Sequence, residues 1–250
     1  MKTQITTLLP PALRPRTLLR RHLETVTRAG LVLDGPFAGL RYVDQSVGSM
    51  WWPKILGTYE LELAATIGLL CAEQPAWIID IGAAEGYYAI GMAWRCPQTR
   101  VIAFEGDHAG RKLQEELAVL NNVDDRLHIE GFCDASALRR ALAVASGGLI
   151  ICDIEGGELT LLNPEIAPDL VDDPWTLLVE IHDHVDPTIA DTLIERFKDT
   201  HSIQEIVSRP RRAADLASGV RRNFLSRWVP AYLDERRPGP MRWLLLRPLA

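Results

Sequence analysis

Short apolar runs alternate with longer amphipathic stretches across most of the chain, and the two periods assign the elements. The pattern predicts strands over 77–81, 100–104, 127–130, 149–154 and 176–181. Helices are expected over 87–96 (closed by Pro97), 110–120, 136–145, 157–162 (before Pro164) and 187–200. Near-continuous apolar strands separated by helices belong to a mostly parallel sheet covered on both faces. The C-terminal part breaks the rhythm: 202–207 and 241–246 are strand-like but enclose an Arg-rich insertion near 208–240 with no crossover helix of the usual size. This predicts a terminal pair of adjacent strands, the last antiparallel. The fold class is therefore α/β, a Rossmann-like sheet with helices on both faces and an N-terminal helical extension.

Before the first strand, Leu18, Leu19, Leu23 and Val26 recur at helical spacing within 16–29, after Pro10, Pro11 and Pro15. Residues 31–53, punctuated by Gly35, Pro36, Gly39, Gly48 and Pro53, read as short strands and turns around Phe37 and Tyr42. A second helix is expected over 58–72, with Leu61, Ala65 and Leu69 facing the core. The division is an N-terminal arm or cap over 1–56 and a Rossmann-like domain over 57–250. A helical arm with one apolar face buries it somewhere, which suggests docking on a second copy as a homodimer.

With 250 residues, 47% hydrophobic and 24% charged, the composition is that of a globular protein with a sizeable core. The sequence reads as free of an apolar run near the roughly 18–20 residues of a membrane span and of a signal-peptide pattern, so the expectation is a cytoplasmic protein without membrane contact. A formal net charge of −6 argues against nucleic acid as the main partner. Cys71, Cys96, Cys133 and Cys152 lack metal spacing and read as buried free thiols. Between Arg209 and Arg247 the arginines, among them Arg211, Arg222 and Arg237, outnumber Asp215, Asp234 and Glu235. They form either a solvated face or a site for an anionic substrate such as a phosphorylated or nucleotide-linked sugar.

The segment from Asp80 to Tyr88 places a glycine-bearing turn between the first strand and its helix, where open α/β sheets bind ligands. Gly82 and Gly86, flanking Ala83, allow a sharp turn and close backbone approach. The loop reads GxxxG, whereas a dinucleotide fingerprint requires GxGxxG for its pyrophosphate. Asp80 and Glu85 would repel a pyrophosphate but suit a ligand bearing an ammonium and a sulfonium. Glu105 lies 23 positions after Gly82, near the spacing of an acid that accepts ribose hydroxyls. Asp134 is placed to accept from an adenine amino group, with Phe132 or Cys133 against the ring; a solvated loop acid is the competing reading.

Together, DIGAAEGYYAIG at 80–91, AFEGD at 103–107, Asn121-Asn122 and CDIEGGE at 152–158 resemble class I methyltransferases dependent on S-adenosylmethionine. CDIEGGE and VEIH at 179–182 look most like the FkbM-type branch, commonly sugar or natural-product O-methyltransferases. The resemblance spans about residues 57–200. It implies a seven-stranded sheet, a loop from Asp80 to Gly86 holding the methionine part of the cofactor, Glu105 on the ribose and Asp134 on the adenine. The arm and the Arg-rich insertion lie outside the shared pattern.

Methyl transfer from a sulfonium to a hydroxyl needs alignment and a way to remove the hydroxyl proton. The ends of the fourth and fifth strands supply Asp153, Glu155, Glu158, Glu180, His182, Asp183 and His184. His182 is the preferred base, with Asp153 and Glu180 orienting it or binding substrate; Asp153 also borders the cofactor. A divalent cation on Asp153, Glu180 and His182 is an alternative but is not favoured. Tyr59 and Glu60 cover the cofactor or simply pack, and Trp51 and Trp52 line an acceptor pocket or a docking surface. The rival functions are a nicotinamide-dependent oxidoreductase and a non-catalytic methyltransferase-fold binding protein.

Overall fold

The computed structural model describes residues 10, 14–221 and 227–249; expectations resting on Pro11 and Arg222 lie outside these. Seven strands form one sheet: β1 Trp77–Ile81, β2 Arg100–Phe104, β3 Leu127–Glu130, β4 Gly148–Cys152, β5 Trp175–Ile181, β6 His201–Val207 and β7 Arg242–Pro248. Their order is β3-β2-β1-β4-β5-β7-β6. The β1–β2, β2–β3, β1–β4 and β4–β5 pairs are parallel, and β7 runs antiparallel to both β5 and β6. The expected terminal pair is thus present, with β7 inserted between β5 and β6.

Ten helices accompany the sheet among the described residues: α1 Pro15–Val26, α2 Trp51–Leu56, α3 Ala64–Ala72, α4 Tyr87–Arg95, α5 His108–Leu120, α6 Ala135–Val144, α7 Glu158–Leu161, α8 Asp169–Asp172, α9 Ile189–Phe197 and α10 Pro230–Leu233. Successive strand residues point to opposite faces. Ile78, Val101, Leu149 and Leu178 therefore join a core built with α1 to α5, while Ile79, Ile102, Ile150 and Leu177 join one built with α6 to α9.

The largest departures lie before β1. The stretch 31–53 contains one isolated bridge, Leu31 to Arg41, instead of short strands. Its end is helical: Pro53 falls in the first turn of α2, where a missing amide costs no helix bond. Within the expected helix 58–72, Glu60 adopts φ +43 and a 3₁₀ turn covers Leu61–Leu63 before α3 begins. From Leu61 to Ala72 the buried side chains are Leu63, Ile67, Leu70 and Cys71, whereas Leu69 is 62% exposed, so the expected core face is corrected. The stretch Trp51–Ala72 also proves long and apolar enough by composition to cross a membrane, although 56% of its most apolar window is buried in this fold and Gly57 breaks it with φ +75.

Leu19 and Leu23 of α1 are buried in the core shared with the sheet, with Leu18 and Val26 packed beside them. The apolar face expected to dock on a second copy is therefore occupied within the chain. All four cysteines are buried and free, as expected. Three arginines of the Arg-rich insertion are engaged by acids within the chain, while Arg212, Arg221 and Arg236 are exposed. Arg211 pairs with Glu62 at 2.6 Å and Glu235 at 2.8 Å, Arg209 with Asp215 at 2.8 Å, and Arg237 with Glu60, Glu180 and Glu235. These pairs tie the insertion to the segment before α3 and to the end of β5.

Candidate active site

The carboxyl ends of β1, β2, β4 and β5 open into one cavity of about 780 Å³, closed from the side by Val47 to Ser49, Tyr59 and the insertion residues Glu235 to Pro238. That volume lies within the range of about 300–1,000 Å³ typical of small-molecule sites. Asp80, Gly82, Ala83, Glu105, Asp134, Asp153, Glu180 and His182 all line it.

The turn after β1 is held by its own backbone. The amides of Gly82 and Ala83 both donate to Phe104 O, at 2.9 and 3.0 Å. Gly82 has φ +85, and a Cβ there would lie 1.8 Å from the carbonyl oxygen of Asp153, so glycine is required by both conformation and space. Gly86, at φ +94, opens α4. Between them Ala84 takes φ +49, its amide donating to Glu105 Oε2 at 2.7 Å and its carbonyl accepting from Gln114 at 2.7 Å.

Asp80, at the end of β1, is buried, and its Oδ2 has no hydrogen-bond partner. Burial pushes its carboxyl up to about 7, with the charges of Asp153, Glu105 and Glu60 adding to the shift. Glu105 Oε1 accepts from Asp107 N at 2.6 Å, which with the Ala84 bond fixes its carboxylate at the cavity wall. Asp134 caps α6 by accepting from Ala137 N at 2.7 Å, and Phe132 beside it is 80% exposed.

Glu85 departs from the expectation that it faces a ligand. Its carboxylate is fully buried away from the cavity lining and accepts from Tyr42 at 2.7 Å, Ser46 at 2.6 Å, Val47 N at 3.1 Å and Lys54 Nζ at 2.5 Å. Burial alone would raise its pKa, but the Lys54 charge and the hydrogen bonds from Lys54, Ser46 and Tyr42 outweigh it and hold the carboxyl below its ordinary range. Glu85 therefore anchors the 42–47 segment against the loop. Lys54 was not legible in the sequence, because a lysine in an apolar helix reads as an exposed side chain.

On the β4–β5 side of the cavity, Asp153 follows β4, Glu180 lies near the end of β5 and His182 directly follows it. His182 is buried, and its Nδ1 lies 2.6 Å from Glu158 Oε1. Its Nε2 faces Asp153 at 3.4 Å, Glu155 at 3.5 Å and Glu180 at 3.7 Å. Burial pulls the imidazolium down, but the hydrogen bond it donates to Glu158 and the charges of Asp153, Glu158 and Glu155 outweigh it, so the pKa is raised. Burial and the charges of Asp153 and Glu60 push Glu180 up to about 11, against the lowering effect of Arg237. Arg237 donates to Glu60 and Glu180 at once and lies 5.7 Å from the Tyr59 ring, and Tyr88 donates to Glu60. Glu60 and Arg237 thus frame this end, with Glu60 raised to about 7 by burial despite Arg237.

The cation set weighed from sequence, Asp153, Glu180 and His182, is rearranged: Glu180 Oε1 is committed to Arg237, while Glu155 joins Asp153 and His182 with ligand atoms all within 4.8 Å. Trp51 and Trp52 do not line the cavity; they meet edge to face, Trp52 meets Tyr232 in the same way, and Trp51 Nε1 donates to Val43 O at 2.7 Å. Tyr88 was not singled out from sequence, and Arg237 stood there only among the insertion's arginines, since nothing in their neighbours marks them as pointing inward.

No protein-family model matches the chain. Over 132 residues, 53% of this chain, it is 29% identical to the release factor glutamine methyltransferase of Chlorobaculum tepidum, and it covers 40% of the length of that protein. In structure it is similar to a candidate O-methyltransferase from Klebsiella pneumoniae, with a TM-score of 0.51, 16% identity and coverage of 97% of this chain and 94% of the other. It is also similar to cofactor-bound Rv0187 from MTB, with a TM-score of 0.50, 15% identity and coverage of 72% and 76%. With the strand order described above, these likenesses give the chain a class I methyltransferase fold.

Proposed function

We propose that the chain binds S-adenosylmethionine and transfers its methyl group to a hydroxyl of a small molecule or sugar, as a member of the FkbM-type branch. The observation that carries this reading is the Asp80 carboxylate, buried beside the cavity at the GxxxG loop with its Oδ2 unpartnered. A buried carboxylate is stable only with a compensating group, and a ligand ammonium supplies one. Glu105, Asp153 and Glu155 extend the same negative lining, which suits a cationic cofactor and opposes the pyrophosphate of a nicotinamide dinucleotide. The partial match to a methyltransferase and the CDIEGGE and VEIH segments support the same assignment.

When bound, S-adenosylmethionine supplies a methyl group activated by a sulfonium. Glu105, with two backbone donors in place, retains lone pairs for ribose hydroxyls. Asp134 uses Oδ1 for the helix cap and offers its other oxygen to an adenine amino group, with exposed Phe132 against the ring. Asp153, Glu180 and His182 align the acceptor and draw off its proton. The acceptor is a neutral polyol in this reading, because Arg211 and Arg237 are spent on intramolecular acids and the charges of Asp153 and Glu155 beside His182 would repel a phosphate.

Formation of S-adenosylhomocysteine in the presence of a panel of hydroxylated acceptors tests the reading. Turnover with hydroxyl acceptors, lowered about 10²–10³-fold in His182→Gln at unchanged cofactor affinity, is expected. Turnover confined to amine or carboxylate acceptors, or a His182→Gln variant as active as the native chain, would overturn it.

A further inference from the structure

His182 is a buried side chain whose two nitrogens meet different surroundings. Nδ1 is engaged by Glu158 Oε1 at 2.6 Å, and Glu158 is itself fully buried. A carboxylate on one imidazole nitrogen orients the ring and leaves the other nitrogen's lone pair for a ligand. Nε2 sits among carboxylate oxygens of Asp153, Glu155 and Glu180 at 3.4, 3.5 and 3.7 Å.

These three distances exceed the roughly 2.7–2.9 Å of a charge-assisted hydrogen bond, so a protonated Nε2 finds no well-placed acceptor. They do match the edges of a coordination polyhedron. Metal–ligand bonds of about 2.1 Å set neighbouring ligand atoms roughly 3.0 Å apart in an octahedron and roughly 3.4 Å apart in a tetrahedron. The ligand atoms of Asp153, Glu155 and His182 all lie within 4.8 Å of one another. Asp153 is fixed by its amide, which donates to Ile81 O at 2.9 Å. Glu155 follows two residues later in a tight turn, with its own φ at +53 and that of Gly156 at +103.

We propose that Asp153, Glu155 and His182 form a binding site for one divalent metal ion, with Glu158 as the group that orients His182. One imidazole nitrogen and two carboxylates favour a first-row transition ion such as Mn²⁺, Fe²⁺, Co²⁺ or Zn²⁺ over Ca²⁺ or Mg²⁺, which prefer shells of oxygen. All three residues line the cavity. A metal there would lower the pKa of a coordinated hydroxyl, so the proton removal assigned above to Asp153, Glu180 and His182 would run through the ion, with His182 as its ligand. That purpose rests on the methyl-transfer reading; the metal site itself does not.

The test is titration of the full chain with Mn²⁺ in chelator-treated buffer, followed by electron paramagnetic resonance and electron spin echo modulation. One Mn²⁺ per chain with micromolar affinity and a modulation from one imidazole nitrogen are expected. Glu155→Gln, at a side chain that is 79% exposed and so tolerant of change, should weaken binding at least tenfold. His182→Gln should remove the nitrogen modulation. Failure to saturate below millimolar Mn²⁺, or binding without nitrogen coupling that Glu155→Gln leaves unchanged, would overturn the site. A parallel titration with S-adenosylhomocysteine separates the two readings: its binding without a Mn²⁺ site refutes the metal alone, and a Mn²⁺ site without its binding refutes the cofactor alone.

Discussion

Replacing Lys54 with methionine removes the positive partner of Glu85 while keeping most of the aliphatic volume. The side chains of the pair are 2% and 0% exposed, so solvent cannot take over the lost charge. Tyr42, Ser46 and Val47 N still donate to the carboxylate, but hydrogen bonds do not neutralise it. Removing one member of a buried ion pair costs about 3–5 kcal/mol. For a chain of this length that corresponds to a drop in Tm of about 6–20 °C. The pH dependence has a definite sign. Glu85 is held below its ordinary pKa, so its contribution is full above the unfolded value and is lost as pH falls through the folded one. In Lys54→Met the depression is relieved, so the stability gap between the variant and the native chain narrows as pH falls through the native Glu85 value. Because Val47 to Ser49 line the cavity and are anchored through Glu85, cofactor affinity should fall in the same variant. Urea unfolding at neutral and mildly acidic pH, with calorimetric cofactor binding, measures all three effects. A loss below about 1 kcal/mol, within the range of an exposed pair, would refute the argument that this pair is structurally isolated from solvent.

Asp80 is raised to about 7, so the ligand-free fold should lose stability as pH rises from the unfolded carboxylate value through 7, and Asp80→Asn should remove this dependence in thermal scans. Cofactor affinity should instead rise over the same window, as the carboxylate that meets the ammonium forms, and should lose this pH dependence in Asp80→Asn. Gly82→Ala places a Cβ against Asp153 O at φ +85, which should lower Tm and abolish cofactor binding; a variant with native stability would contradict the tight turn. Arg237→Gln leaves Glu60 and Glu180 without their shared partner, so the acceptor KM should rise more than tenfold with little change in cofactor affinity.

The strands β1 and β2 were readable because each is a short, mainly apolar run bounded by polar or turn residues, and β3 because its apolar and polar residues alternate. Asp80, Gly82, Glu105 and Asp153 were readable as cavity residues because strand ends and the turn after β1 have fixed places in an α/β sheet. The face of α3 was not readable, since nearly every residue from Ala64 to Ala72 is apolar and no periodic contrast selects a side. Glu85 was misplaced for a related reason: an acid in a glycine loop can turn to the cavity or to the core, and the choice depends on Lys54, which is 31 residues distant. The insertion was hardest. Its arginines have partners in β5 and before α3, and only tertiary structure brings Arg237 to Glu60, 177 positions away.

The central claim is the cofactor, and calorimetric titration of the full chain with S-adenosylhomocysteine, NAD and NADP tests it most directly. The account predicts micromolar binding of S-adenosylhomocysteine alone, weakened at least tenfold in Glu105→Ala. Binding of NAD or NADP, or no binding of S-adenosylhomocysteine by a folded chain, would contradict it.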